Sequence, residues 1–382
     1  MASPSAKMSP LIMRVLAASV SVSYRAGTII RDIMKTGDLG IVEKGKNDLQ
    51  TEADRAAQRC IVASLHKQFP KVAIFGEESL DPSDKIPDNY VVTDLAEDVL
   101  RHTCPDIYKD VTDDQIVIWV DPLDGTAEFT QGLLDHVTVL IGVAVNGEAK
   151  GGIIYQPYYN YEAGSGATMG RCIWGLIGLG SYGFTREVPP ANQNLITTTR
   201  SHSDWIVTEA VNSCEPTDIV RVGGAGHKVL LLIEGKVHAY VFASKGCKKW
   251  DTCAPEAVLC AIGGSLTDML GNQILYHSSV QRRNAGGVLA TVHNHSWYVE
   301  RIPKEIKENF VSDAPSEDML KRRQQEASGA GAADAVDSSS GAGDSSVLTS
   351  RDQGDLGSSV DPPEFDKTEA NAVNPSPGPA KM

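Results

Sequence analysis

Asp121 and Asp124 stand three residues apart in the run Trp119-Val-Asp-Pro-Leu-Asp-Gly-Thr126, at the end of the apolar stretch Ile116–Val120. A strand rich in Ile and Val thus delivers two carboxylates onto a turn shaped by proline and glycine, an arrangement suited to hard cations such as Mg²⁺. Pro122 fixes its own φ and donates no hydrogen bond, while Gly125 permits backbone angles that other residues resist. The chain can therefore fold around an ion, with both carboxylates and the Leu123 carbonyl facing one centre. Thr126 follows at a position that can cap a helix or offer its hydroxyl to a reacting water. An isolated Asp-x-x-Asp also fits a plain helix-capping turn, because Asp is frequent in turns. The whole hexapeptide favours the metal site.

Five further places supply acidic or phosphate-facing groups. Glu77 and Glu78 follow the apolar run Val72–Phe75 through Gly76, where they fit either a metal ligand or a solvated turn. Asp54 lies three residues after Thr51 in the pattern of a capping box; a carboxylate there is also kept ionised by the helix dipole and can accept a proton. Asp251 sits in Trp250-Asp-Thr-Cys-Ala-Pro-Glu256, where Pro255 and Glu256 predict the opening turn of a helix and Asp251 its cap or a metal ligand. Gly223-Gly-Ala-Gly226, between a predicted strand and His227-Lys228, can present N–H groups to an anion, or simply pack a strand closely on a helix. It lacks the spacing of a P-loop. Thr197-Thr-Thr-Arg-Ser-His202 is a hydroxyl-rich strand end with two groups able to carry positive charge.

Positioning these groups falls to elements readable from periodicity. Residues 8–36 and 54–68 read as helices, and residues 71–75, 116–120, 137–145 and 150–155 as strands, the last two joined by the hairpin signal Asn146-Gly147. That half is α+β. Strands are expected over residues 172–176, 195–199, 219–222 and 238–242, with helices over 204–214, 228–234 and 255–262; this alternation predicts a layered α/β unit. The expected division is 1–160, 161–313 and a remainder, 314–382. The remainder is rich in Ser, Gly, Ala, Asp and Pro without apolar periodicity, and is expected to be disordered.

Residues 314–382 carry 12 acidic against 6 basic residues of a chain whose net charge is −14. So acidic a body argues against nucleic-acid binding, which relies on Lys and Arg to neutralise phosphates. A phosphorylated substrate would need metal ions as its bridge. Seven cysteines with no Cys-x-x-Cys pair suggest neither a disulfide framework nor a zinc site, and a reduced, cytoplasmic setting is expected. Leu11, Val15, Ala18 and Val22 recur at helical spacing, which favours an amphipathic helix over a signal peptide. No run approaches the roughly 18 apolar residues of a membrane span.

Taken together, Gly76-Glu-Glu-Ser79, Asp121-Pro-Leu-Asp-Gly-Thr126 and Trp250-Asp-Thr-Cys-Ala-Pro-Glu256 resemble the inositol monophosphatase superfamily of magnesium-dependent, lithium-inhibited phosphatases. Thr197–His202, Gly223–Lys228 and Gly246-Cys-Lys-Lys-Trp-Asp251 are most similar to its branch that acts on adenosine bisphosphates. The resemblance runs from about residue 8 to about residue 312 and implies a layered αβαβα sandwich. It implies that Glu77, Asp121, the Leu123 carbonyl, Asp124 and Asp251 hold two or three Mg²⁺ ions, with Glu78 the weaker of the two glutamates. It further implies that Asp54 and Thr126 activate water, and that Thr199, His202, Gly224 and Lys228 hold the nucleotide. The expected protein is a monomer that removes the 3′-phosphate of 3′-phosphoadenosine 5′-phosphate, with a side activity on inositol 1,4-bisphosphate. An inositol phosphatase on the same metal core, or a non-catalytic magnesium-binding scaffold, are the competing readings.

Overall fold

The helical spacing of Leu11, Val15, Ala18 and Val22 becomes the helix Leu11–Thr36, which buries Val15, Leu16, Val22 and Ile30 and ends at Gly37 in the left-handed conformation (φ 76°). This computed structural model describes residues 9–313 except 46–47, 82, 165–166 and 202, together with residue 321. The segment expected to be disordered therefore lies, apart from residue 321, outside the described residues.

The helix Glu52–Gln68 packs beside Leu11–Thr36, and both cover one face of a six-stranded sheet. Its strands run in the spatial order Ala73–Gly76, Ile116–Asp124, Thr138–Val145, Glu148–Gln156, Arg171–Leu176 and Gly180–Tyr182. Asn146 and Gly147 both take positive φ (54° and 81°), the turn their dipeptide calls for. Arg171–Leu176, read from sequence as part of the second half, instead extends this first sheet beside Glu148–Gln156. The passage to the second sheet falls between Tyr182 and Leu195 rather than near residue 160.

The second sheet orders Asp218–Val222, Leu195–Thr199, Ala239–Phe242, Val288–Thr291 and Ser265–Thr267, the first three parallel and Val288–Thr291 antiparallel to both of its neighbours. Helices Ala225–Ile233 and Lys249–Cys260 lie between the sheets and share one apolar core with both. Trp205–Ser213 and His295–Arg301 cover the far face. The layers are helix, sheet, helix, sheet, helix, the expected αβαβα sandwich.

Lys249–Cys260 begins six residues earlier than the sequence pattern predicts, so Pro255 lies in its interior rather than in its opening turn. A proline there removes one backbone donor from the helix; burial of Trp250, Cys253, Ala254 and Val258 between the sheets outweighs that loss. The helix lies close to the first sheet because a row of glycines crosses it. Gly142 pairs with Gly152, and Gly152 with Gly175. A Cβ at Gly142 would stand 2.6 Å from Cys253 Cβ, and one at Gly152 would meet the Ala254 backbone.

Candidate active site

The strand Ile116–Asp124 does not stop at Pro122. Asp121 pairs with Leu140 and Asp124 with Thr138, so the chain advances three residues while its partner advances two. One extra residue is a β-bulge. Side chains alternate along a regular strand, so residues three apart would point to opposite faces; the bulge turns Asp121 and Asp124 toward one side. Both line a cavity of about 200 Å³, together with Glu77, Leu123, Thr126, Thr199, Gly224, Lys228 and Asp251. Nine of the residues to which a role is assigned above, from the bulged strand and its following turn and from four other stretches of chain, thus line one cavity.

Asp54 lies behind this wall, fully buried at the third position of its helix. Its Oδ2 accepts hydrogen bonds from the Thr51 backbone N–H at 2.8 Å and the Thr51 hydroxyl at 2.5 Å, which completes the capping box. Its Oδ1 accepts from the Thr126 hydroxyl at 3.0 Å, and the Leu123 carbonyl lies 3.0 Å from that same hydroxyl. Burial raises the Asp54 pKa to about 6, against the opposing pull of the Thr51 hydrogen bonds. A carboxylate with that proton affinity, reached from the cavity through one hydroxyl, is a proton acceptor suited to near-neutral pH.

The remaining carboxylates are crowded and short of positive charge. Burial, then the charge of Asp251, raises Glu77 to about 8; burial raises Asp251 to about 6 and carries Asp121 well above the usual range. The charges of Glu77, Asp124 and Asp251 add to burial in holding Asp121 high. The Lys44 ammonium, from the hairpin strand Val42–Gly45, sits 3.0 Å from Glu77 and 2.8 Å from Glu78. Glu78 is also held by Gln50 and does not line the cavity. Among the described residues, no three His, Cys, Asp or Glu side chains already converge in a geometry that would hold an ion. Their present partners account for that spread: Asp251 accepts from Lys248 N–H at 2.7 Å, and Asp121 from Leu123 N–H at 3.0 Å. Four carboxylates, Asp121 and Asp124 buried and Glu77 and Asp251 partly so, with a carbonyl, are hard oxygen donors with unbalanced negative charge and nonetheless suit Mg²⁺ in kind.

Across the cavity, the glycine turn behaves differently from its sequence reading. The N–H groups of Ala225 and Gly226 donate to the two oxygens of Asp124 at 2.8 and 2.9 Å, and that of Gly223 donates to His136 Nδ1 at 3.2 Å. The anion at this helix start is therefore a protein carboxylate, joined there by the Thr138 hydroxyl at 2.6 Å. Gly224 has φ 67°, and a Cβ on it would stand 2.5 Å from the His136 carbonyl oxygen, which explains the glycine. Lys228 is buried, donates to the Gly224 carbonyl at 2.8 Å, and lies 5.5 Å from the Tyr240 ring centre. Burial lowers its proton affinity, and the Asp124 charge counters that. Thr199 lines the cavity at the end of its strand. His202 lies outside the described residues.

Over residues 12–307 the chain matches the inositol monophosphatase family. It belongs to that family.

Members of the inositol monophosphatase family are generally magnesium-dependent, in keeping with the donor set above. The chain is 52% identical over 307 residues to a human protein named 3′(2′),5′-bisphosphate nucleotidase 1, a match covering 80% of this chain and 99% of that one. It is 32% identical over 308 residues to a human Golgi-resident adenosine 3′,5′-bisphosphate 3′-phosphatase, covering 76% and 80%. The extragenic suppressor protein suhB from Bartonella henselae shares the fold, with a TM-score of 0.55 at 22% identity over 75% of this chain and 97% of that one. No described helix is long and apolar enough to cross a membrane.

Several residues of this family member's cavity carry no sequence signal of their own. Glu128 lines it, is buried, and pairs with Arg200 at 3.2 Å, which joins the helix after the bulged strand to the second sheet. Lys44, Thr138 and Tyr240 reach the site only through folding. A larger groove of about 750 Å³ lies at the opposite end of Leu195–Thr199, between Arg186, Val188, His293 and Trp297. It lacks the carboxylate cluster and the hydroxyl relay that line the smaller cavity.

Proposed function

We propose that this protein is a magnesium-dependent phosphatase that hydrolyses the 3′-phosphate of 3′-phosphoadenosine 5′-phosphate to give AMP and phosphate. The observation that carries the reading is the relay from Thr126 to Asp54, opening beside Glu77, Asp121, Leu123, Asp124 and Asp251 in one cavity. Those five would hold the ions. When bound, Mg²⁺ supplies positive charge against the phosphate oxygens and a supply of ordered water.

The Thr126 hydroxyl gives its hydrogen to Asp54, which leaves its oxygen lone pairs facing the cavity as acceptors. A water there passes its proton to Thr126 as the threonine proton moves to Asp54. The Leu123 carbonyl and Asp54 together fix the rotation of the hydroxyl. No side chain in the relay becomes phosphorylated. Thr199, His202, Gly224 and Lys228 would hold the nucleotide, with the Lys228 ammonium opposite the second phosphate. That remote contact can contribute to turnover as well as to affinity.

Inhibition by lithium, a side activity on inositol 1,4-bisphosphate, a monomeric state and a cytosolic setting belong to the same proposal. All seven cysteines are free, which suits a reducing compartment. Phosphate release from adenosine bisphosphates and inositol phosphates, with and without Mg²⁺ and lithium, tests it. Preference for inositol monophosphate would favour an inositol phosphatase on the same core. No Mg²⁺-dependent release from any of them would end the phosphatase reading.

A further inference from the structure

Four cations flank the cavity wall formed by Gly246 and Cys247, and none of them has a role above: Lys245, Lys248, Arg282 and Arg283. They come from two segments zipped together antiparallel. Lys249 N–H donates to the Arg282 carbonyl at 2.9 Å, Asn284 N–H donates to the Cys247 carbonyl at 2.9 Å, and Lys248 bridges Arg283. Arg283 Nε donates to the Lys245 carbonyl at 2.9 Å. The Arg282 guanidinium stacks 3.8 Å from the Phe75 ring centre, on the strand that leads to Glu77, and 5.1 Å from that of Trp119. Backbone pairing and stacking therefore fix where this charge stands.

Little of this charge is neutralised at close range inside the protein. Among the described residues none of the four forms an ion pair with a carboxylate, although the chain carries a net charge of −14. Lys245 and Arg283 are exposed, and Lys248 and Arg282 half-buried. The cavity they flank is floored by carboxylates, whose field repels an approaching anion. A fixed cluster of cations beside such a mouth offsets that repulsion and draws anions in.

We propose that this basic rim is the outer capture surface for the substrate, an organic bisphosphate, and that it favours doubly over singly phosphorylated nucleotides. A ligand bearing two phosphates gains more from the rim's field than one bearing a single phosphate. The proposal rests on the phosphatase reading above and goes beyond it, because the rim touches none of the residues assigned to water activation.

The test compares wild type with the Lys245→Ala/Arg283→Ala double variant, assayed with Mg²⁺ on 3′-phosphoadenosine 5′-phosphate and on adenosine 3′-monophosphate. At low ionic strength kcat/KM for the bisphosphate is expected to fall about tenfold, through KM with kcat unchanged, and that for the monophosphate about threefold. At roughly 1 M salt, where the Debye length is about 3 Å, both deficits should close. Arg283→Lys, which keeps the charge and loses the fork that reaches Lys245, should match wild type. Equal losses on both substrates, or a double variant with wild-type kcat/KM and salt dependence, would overturn the proposal while leaving the phosphatase reading standing. Wild-type protein that releases no phosphate from the bisphosphate overturns both.

Discussion

The two faces of the candidate catalytic cavity are built in opposite ways. On the first-sheet face, Asp121, Leu123, Asp124 and Thr126 lie within six residues, and one bulge aims them. On the second-sheet face, Thr199 comes from a strand and Gly224 and Lys228 from the start of a helix, and the helix N–H groups that a ligand could use are already taken by Asp124. Chemistry is thus encoded locally, whereas recognition depends on how the two sheets meet. Asp124 is the joint, since it belongs to the acidic turn and also anchors the helix that carries Lys228.

The sharpest way to break this contrast is Asp54→Asn. Loss of the proton acceptor should lower kcat by about 10²–10⁴-fold and leave KM for the bisphosphate near its wild-type value; wild-type turnover would remove the relay from the first face. Next comes Lys228→Ala on the second face. A charge-assisted hydrogen bond of about 1.5–3 kcal/mol predicts a KM increase of roughly 10–150-fold for the bisphosphate. Steady-state kinetics that show the loss in kcat alone would place Lys228 with the chemistry instead.

A smaller effect separates the faces thermodynamically. Asp54, Glu77 and Asp251 have pKa values raised to about 6, 8 and 6, above the roughly 4 of an unfolded carboxylate. Without divalent cations the folded chain therefore keeps protons that the unfolded chain has released. Stability is full below about pH 4 and is lost as pH rises through 6 to 8. Mg²⁺ should restore about 2–3 kcal/mol at a hundredfold excess over its Kd, with a larger rise in melting temperature at pH 8 than at pH 5. Equal shifts at both pH values, read by thermal denaturation in chelator and in Mg²⁺, would contradict the acidic face as a cation site.

The smallest expected effect on activity concerns the chain beyond the fold. A protein ending at Asp313 should keep wild-type kcat and KM. One ending at Ser312 loses the carboxylate paired with the fully buried Lys249 and should be destabilised by about 3–5 kcal/mol. Denaturant titration of the two chains tells them apart; identical midpoints would mean that Lys249 finds another partner.

Much of the fold was legible because its signals are local. Leu195–Thr199 matches its sequence reading residue for residue, and Asn146-Gly147 and the Thr51 to Asp54 box act as their spacing says. What could not be read depends on pairing between distant segments. Arg171–Leu176 is a short apolar run like the strands of either sheet, and only its partner decides which sheet it joins. Pro255 reads as a helix start, and only burial between two sheets keeps it inside one. Within the cavity, the acidic turn announces itself, while the engagement of Ala225 and Gly226 by Asp124 has no trace in either stretch alone.

The glycine row formed by Gly142, Gly152 and Gly175 has a final consequence. It is a trough cut across the first sheet, and the helix that carries Asp251 sinks into it. The height of that helix above the strands therefore sets how far Asp251 stands from Asp121. A single methyl group on the trough floor would jack up the helix and open the gap between two carboxylates without touching either. Part of the spacing between these carboxylates is thus written in residues that have no side chain.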